Sequence, residues 1–264
     1  MVEPSIIAAS AGAGAVVGFV LGLIGGGGSI LAVPLLVYGV GITNPHIAIG
    51  TSAVAVAASA AVNLVGHARA GRVKWPCAIL FSIFGILGAA LGSSLAKAVD
   101  GGKLLALFGL LMIGIGVLTL LKKENEGDPS VRLSWQSSRY LAPPLIVAGL
   151  VVGMVSGFFG IGGGFLIVPA LVAATRMPMR YAVGTSLVAV TAFGLTTAGN
   201  YAMSGLVNWP VAAYFIAGGF MGGFAGIKAG TLLSRRKGAL AYVFGMIVIG
   251  VGSYIVWRSS SALI

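Results

Sequence analysis

The chain alternates long apolar stretches with short polar connections. Ile6–Ile24 and Leu104–Leu121 contain no charged side chain at all. Uninterrupted runs of this length predict membrane-crossing helices, which need about 20 apolar residues each, whereas barrel strands would alternate apolar and polar positions. Ten such segments follow one another, at about 6–24, 29–40, 47–66, 75–97, 104–121, 141–159, 164–175, 181–203, 209–232 and 240–257. The pattern therefore predicts an all-α polytopic membrane protein. Ten spans consume nearly the whole chain, so no soluble domain fits beside them. The second and seventh segments are short. Twelve helical residues rise about 18 Å, less than the roughly 30 Å hydrocarbon core, so each is expected to half-cross or to return as a re-entrant arm.

The ten segments form two sets of five. Gly22–Pro34 (GLIGGGGSILAVP) aligns with Gly157–Pro169 (GFFGIGGGFLIVP) at an offset of 135 residues, and Gly50-Thr51-Ser52 aligns with Gly184-Thr185-Ser186 at 134. Gly71–Pro76 (GRVKWP) matches Gly205–Pro210 (GLVNWP), again at 134. Three ordered matches sharing Pro, Thr-Ser and Trp-Pro exceed what Gly/Ala bias produces. The chain divides into a first repeat over 1–121, a linker over 122–140 and a second repeat over 141–264.

Charge then predicts how the repeats lie. An odd number of crossings per repeat inverts the second relative to the first. Under inversion one membrane face collects Arg69, Arg72, Lys74, Lys122, Lys123, Arg132, Arg139, Arg176, Arg180, Lys228, Arg235, Arg236 and Lys237, leaving only Lys97, Lys103 and Arg258 opposite. A parallel four-plus-four arrangement splits the same residues 8 against 8. The strong asymmetry of the inverted fold fits the positive-inside rule, with a cytoplasmic linker, both termini non-cytoplasmic, and Trp75 and Trp209 near opposite interfaces.

Composition changes the picture only by exclusion. The chain has 264 residues, 58% hydrophobic and 8% charged, where soluble domains carry about 25% charge. Its net charge of +11 would suggest nucleic acid in a soluble protein, but the cations sit in loops between spans, so no nucleic-acid partner is expected. The expected partners are the lipid bilayer and a small anion, and the pattern leaves self-association into a homo-oligomer open. The single Cys77 supports neither an internal disulfide nor a cysteine metal cluster, and no metal or cofactor is expected. The N-terminus lacks a basic region ahead of its apolar run and reads as a retained span.

Candidate chemistry lies where the spans break. Gly25, Gly26, Gly27 and Gly28, and Gly160, Gly162, Gly163 and Gly164, interrupt apolar helices, and irregular backbone at membrane depth is tolerated only beside protein or water. Glycine offers positive φ, close approach, and free N–H groups at the start of the following helix, where the dipole favours an anion. Close helix packing through small residues is the alternative for these clusters, and the expected role of Gly88, Gly92, Gly222 and Gly226. Ser29 joins the first cluster. Thr51, Ser52, Thr185 and Ser186 offer hydroxyls that either line an anion's path or bond their own helix carbonyls. Asn63 and His67, with Asn200 and Tyr201 in the other repeat, lie near the far ends of their segments, where they serve either interface or helix–helix hydrogen bonding or gating and proton-linked roles. His46 looks unremarkable, and Lys228 is expected to snorkel toward the basic face.

Glu3, Asp100, Glu124, Glu126 and Asp128 all lie at a terminus or in loops, so no intramembrane carboxylate relay is expected and the interior suits an anion. An enzyme is not expected. Ser52 and His67 stand 15 residues apart on one predicted helix, about 22 Å of rise, too far to share a hydrogen bond.

The paired motifs, each followed by Ala-x-Gly-Thr-Ser (Ala48–Ser52, Ala182–Ser186) and later by Gly-x-Val-x-Trp, resemble the sulfite exporter TauE/SafE family over essentially the whole chain. The resemblance implies a bacterial-type plasma-membrane transporter that moves sulfite, sulfonates or related sulfur oxyanions outward, and the inverted repeats add the expectation of a secondary transporter for an anion such as sulfite or sulfoacetate, working by alternating access as one repeat rocks against the other. A passive anion channel and a non-transporting assembly subunit are the alternatives. Gly26 stands where the second repeat has Ile161, and Ser29 where it has Gly164, so the two halves are not expected to bind equally.

Overall fold

The computed structural model describes residues 3–24, 28–121, 138–233 and 237–260. The predicted linker, with Lys122, Lys123 and Arg132, lies outside them apart from its last three residues, as do Gly25, Gly26, Gly27, Arg235 and Arg236. All ten predicted segments are helical: α1 Pro4–Ile24, α2 Gly28–Gly39, α3 Pro45–Arg69, α4 Trp75–Lys97, α5 Gly101–Leu121, α6 Ser138–Phe159, α7 Gly164–Thr175, α8 Met179–Met203, α9 Trp209–Leu233 and α10 Lys237–Ser260. Among the described residues, six are long and apolar enough to cross a membrane, while α2 and α7 fall short. Leu87, Leu91, Leu118, Leu121 and Val147 are exposed, so the outer surface is greasy as a bilayer requires.

Local chemistry sets the helix starts. The Asn44 side chain accepts from the His46 N–H at 2.9 Å and Pro45 opens α3, so a cap and a proline fix its entrance. Asp100 Oδ1 accepts from the N–H groups of Gly102 and Lys103 to cap α5. The helix α2 is irregular: a 3₁₀ turn over Gly28–Leu31, a short α-helical stretch over Ala32–Pro34, then a π-helical turn over Leu35–Gly39. Pro34, lacking an N–H, sits at the change of pitch.

Glycines bring the long helices into backbone contact, because without a hydrophobic force between them the fit of small residues supplies the adhesion. Helix α1 lies on α9 through Gly14 against Phe215 and Gly18 against Gly219. Helix α6 lies on α4 through Gly149 against Phe81 and Gly153 against Gly85. The second set is the first shifted by the repeat offset, with the halves exchanged. Gly88, Gly92 and Gly222 also face a neighbouring backbone, where a β-carbon would collide.

The centre is α3 against α8. Gly50 meets Tyr201, Gly194 meets Ala57, and Gly184 meets Arg72, so these matching helices run antiparallel. Matching α5 and α10 do the same, Gly109 facing Gly252 and Gly116 facing Gly245. One end of the molecule gathers Arg72, Lys74 and Arg180, with the last two over the Tyr181 ring at 4.6 and 4.8 Å from its centroid. The other end holds Lys97 beside Asn200, and Arg258 over Tyr38. Trp75 follows Lys74 at the first end, and Trp209 follows Asn208 at the second.

Candidate functional site

The better described elbow joins α6 to α7. Gly160, Gly162 and Gly163 have φ of 66°, 66° and 71°, the left-handed region that other residues enter only with strain. Gly162 contacts Val56 and Val190. Each valine is the twelfth of 25 residues in α3 and α8 respectively, so the elbow sits at the midpoint of both central helices. From there α7 runs back over 12 residues, about 18 Å, to Arg176 at the basic end. It is a re-entrant half-helix. In the first repeat, Gly28 packs back on Leu21, and Ile6 and Val40–Asn44 line one small cavity, so α2 returns to the end where α1 began. Helix α7 touches Gly28–Leu31, which brings the start of one half-helix beside the other.

The elbow leaves donors over. Gly163 O accepts from the N–H groups of Leu166 and Ile167 at 2.9 and 2.8 Å, but the N–H groups of Gly162, Gly163, Gly164 and Phe165 find no backbone acceptor among the described residues. Buried N–H groups are rarely left so. Two hydroxyls nearby share this condition: Ser156 Oγ, packed against Gly163, and Ser29 Oγ, next to Gly28, are buried without hydrogen-bond partners among the described residues.

The Thr-Ser pairs are placed differently. Thr51 Oγ1 accepts from the Asn208 N–H and Thr185 Oγ1 from the Lys74 N–H, both at 3.0 Å, so each threonine anchors the loop entering the long helix of the opposite repeat. Ser52 Oγ lies 2.8 Å from the Ile49 carbonyl and 3.2 Å from that of Gly160, and Ser186 Oγ donates to the Val183 carbonyl at 2.8 Å. Of these four, only Ser52 reaches the described elbow.

The remaining candidates separate by end. Asn63 and His67 line a cavity of about 350 Å³ between α1, α3 and α9, together with Ser59 and Arg72. At the opposite end Asn200 joins a polar cluster in which its amide donates to Ser93 and Ser94 and its oxygens accept from Lys97. Tyr201 is fully buried, its hydroxyl unpartnered, with its ring stacked on His46 at 6.5 Å, so His46 does have a packing role. Ser156 and Ser59 were not among the residues singled out from sequence, and Arg72 and Lys97 figured there only as charges that orient the chain. The signal for two of them is a mismatch between repeats, since Ser156 aligns with Leu21 and Ser59 with Phe193.

An all-helical bundle with several apolar helices of membrane-crossing length is a multi-pass membrane protein. The description of the sulfite exporter TauE/SafE family matches residues 10–255, and the chain belongs to that family. A probable membrane transporter protein of Xylella fastidiosa (strain Temecula1) is 52% identical over 258 residues, covering 96% of each chain. Probable membrane transporter protein YunE of Bacillus subtilis is 27% identical, covering 93% of this chain and 95% of its own. Probable membrane transporter protein MJ0441 of Methanocaldococcus jannaschii is 29% identical over 65% of each. No solved structure matches the chain. It is a membrane transporter.

Proposed function

We propose that the protein is a secondary transporter that exports a small sulfur oxyanion or organosulfonate, such as sulfite or sulfoacetate, across the plasma membrane. The observation that carries this reading is the elbow at Gly160–Gly164. There the N–H groups of the buried residues Gly162, Gly163, Gly164 and Phe165 have no backbone acceptor, and the Ser156 hydroxyl no partner, among the described residues; they lie at the dipole-positive end of α7, and a negatively charged oxygen is the acceptor such donors suit. No carboxylate among the described residues sits on a membrane-spanning stretch to compete for them.

Two inverted repeats account for the exchanged glycine contacts and for the antiparallel course of α3 and α8 and of α5 and α10. Inversion also explains why Arg72, Lys74 and Arg180 share one end, which the positive-inside rule makes cytoplasmic. The open cavity at that end and the polar cluster around Lys97 at the other favour alternating access over a continuous pore.

The experiment is an anion screen by thermal denaturation of the purified protein. A ligand at 100 times its dissociation constant stabilises the folded state by about 2.7 kcal/mol. Sulfite or sulfoacetate should raise the melting temperature of the wild type and raise it less for Ser156→Ala. Stabilisation by neither anion would remove the proposed substrate class.

A further inference from the structure

The two repeats differ where their symmetry would demand two equal spaces. In the second repeat Phe193 lies directly on Gly85, where any β-carbon would collide with its ring, and stacks on Phe81 at 6.0 Å. That space is filled. In the first repeat the equivalent of Phe193 is Ser59, facing Gly219, the equivalent of Gly85, with its Oγ 3.7 Å from where a β-carbon on Gly219 would stand. This second space is the 350 Å³ cavity.

Its lining differs from the second repeat in both directions: Leu21, Val62 and Gly66 replace the polar Ser156, Thr196 and Asn200, while the groups facing the basic end gain nitrogen. Asn63, His67 and Arg72 stand where the second repeat has Thr197, Tyr201 and Leu206, so a cation and two nitrogen-bearing side chains replace uncharged groups. His67 Nδ1 is buried without a partner, and among the described residues no carboxylate pairs with Arg72. The inner wall is Leu21, against whose backbone Gly28 packs, so the cavity ends one residue contact from the start of α2. A cleft lined by positive charge with low-dielectric walls concentrates anions.

We propose that the cavity formed by Ser59, Asn63, His67 and Arg72 is the cytoplasmic binding vestibule for the oxyanion, with Arg72 meeting its charge and the absent aromatic ring at position 59 keeping the way open. The proposal rests on the transport reading for its substrate class but not for its test.

The test uses the full-length protein in vesicles with Cys77→Ser as background. The Ser59→Cys variant is labelled from the basic side with a sulfonate-bearing and a trimethylammonium-bearing methanethiosulfonate, each rate divided by that for a free small thiol. The sulfonate should react at least about tenfold faster, Arg72→Gln should cancel the preference, and the Phe193→Cys variant should stay unlabelled. In parallel, Ser59→Phe should abolish sulfite and sulfoacetate flux in protein that still elutes as a single species. Equal labelling by the two reagents, or an unreactive Ser59→Cys variant, overturns the vestibule whatever the flux shows. Charge-selective labelling of the Ser59→Cys variant, together with a wild type that moves neither anion, supports the vestibule and instead removes the transport reading.

Discussion

Lys97 donates to Asn200 Oδ1 at 2.7 Å, and the same ammonium reaches the Asn200 carbonyl and Ser204 Oγ at 3.3 and 2.9 Å. Asn200 in turn donates to Ser93 and Ser94 at 2.6 and 3.0 Å. Five polar side chains thus tie the end of α4 to the end of α8, opposite the open cavity. In the first repeat Gly66 and Ala70 stand in place of Asn200 and Ser204, so the same clasp cannot form there.

Breaking this clasp should loosen one end only. A hydrogen bond to a charged group contributes about 1.5–3 kcal/mol, and Asn200→Ala removes the principal acceptor of a half-buried ammonium. The melting temperature should fall, and a cysteine introduced at Ser204 should label faster from the face opposite Arg72. Unchanged labelling would show that the cluster does not hold that end closed.

Thr51→Val and Thr185→Val each remove one acceptor of a backbone N–H. Each should cost about 0.5–1.5 kcal/mol in denaturation and leave the substrate KM unchanged within about twofold, because the hydroxyls anchor loops. The near equality of the two losses follows from the matched 3.0 Å contacts. A large rise in KM for either variant would place its hydroxyl on the substrate instead.

Most of the fold was legible because membrane helices announce themselves by length: all ten segments lie within a few residues of their expected positions. The break between α6 and α7 was legible too, because glycine adopts the φ values of Gly160, Gly162 and Gly163 without the strain other residues incur. What sequence left open was which hydroxyls stay free. A Thr-Ser pair reads the same whether it faces a cavity or caps a loop, and only three-dimensional contact gives Thr51 to Asn208 and leaves Ser156 unpartnered. The cavity was hidden for a related reason. Ser59 looks like any small residue in a membrane helix until Phe193 is seen filling the equivalent place.

Gly163→Ala and Gly199→Ala should separate the elbow from ordinary helix glycines. At Gly163, φ is 71° and a β-carbon would stand 2.8 Å from Ser156 Oγ, so the change should cost about 1–2 kcal/mol for the left-handed backbone alone. Gly199 is in α8 with nothing within 4 Å, and alanine there should stabilise by about 0.5–1 kcal/mol. Thermal melts of both proteins check the sign of each.

Ser156→Ala deletes a buried hydroxyl that has no hydrogen-bond partner among the described residues. Stability should hold or rise slightly, while the KM for the transported anion should rise several-fold. A hydroxyl with a purely structural role would change the melt and leave KM alone.

The most direct measurement is flux from vesicles containing the purified protein under an imposed potential. Each net negative charge moved toward the positive side gains about 2.3 kcal/mol per 100 mV, which supports an anion gradient of about 50-fold. Saturable movement of sulfite or sulfoacetate toward the positive compartment, approaching that ratio, is the expected result. Flux no greater than in protein-free vesicles, for both anions and either polarity, would contradict the account.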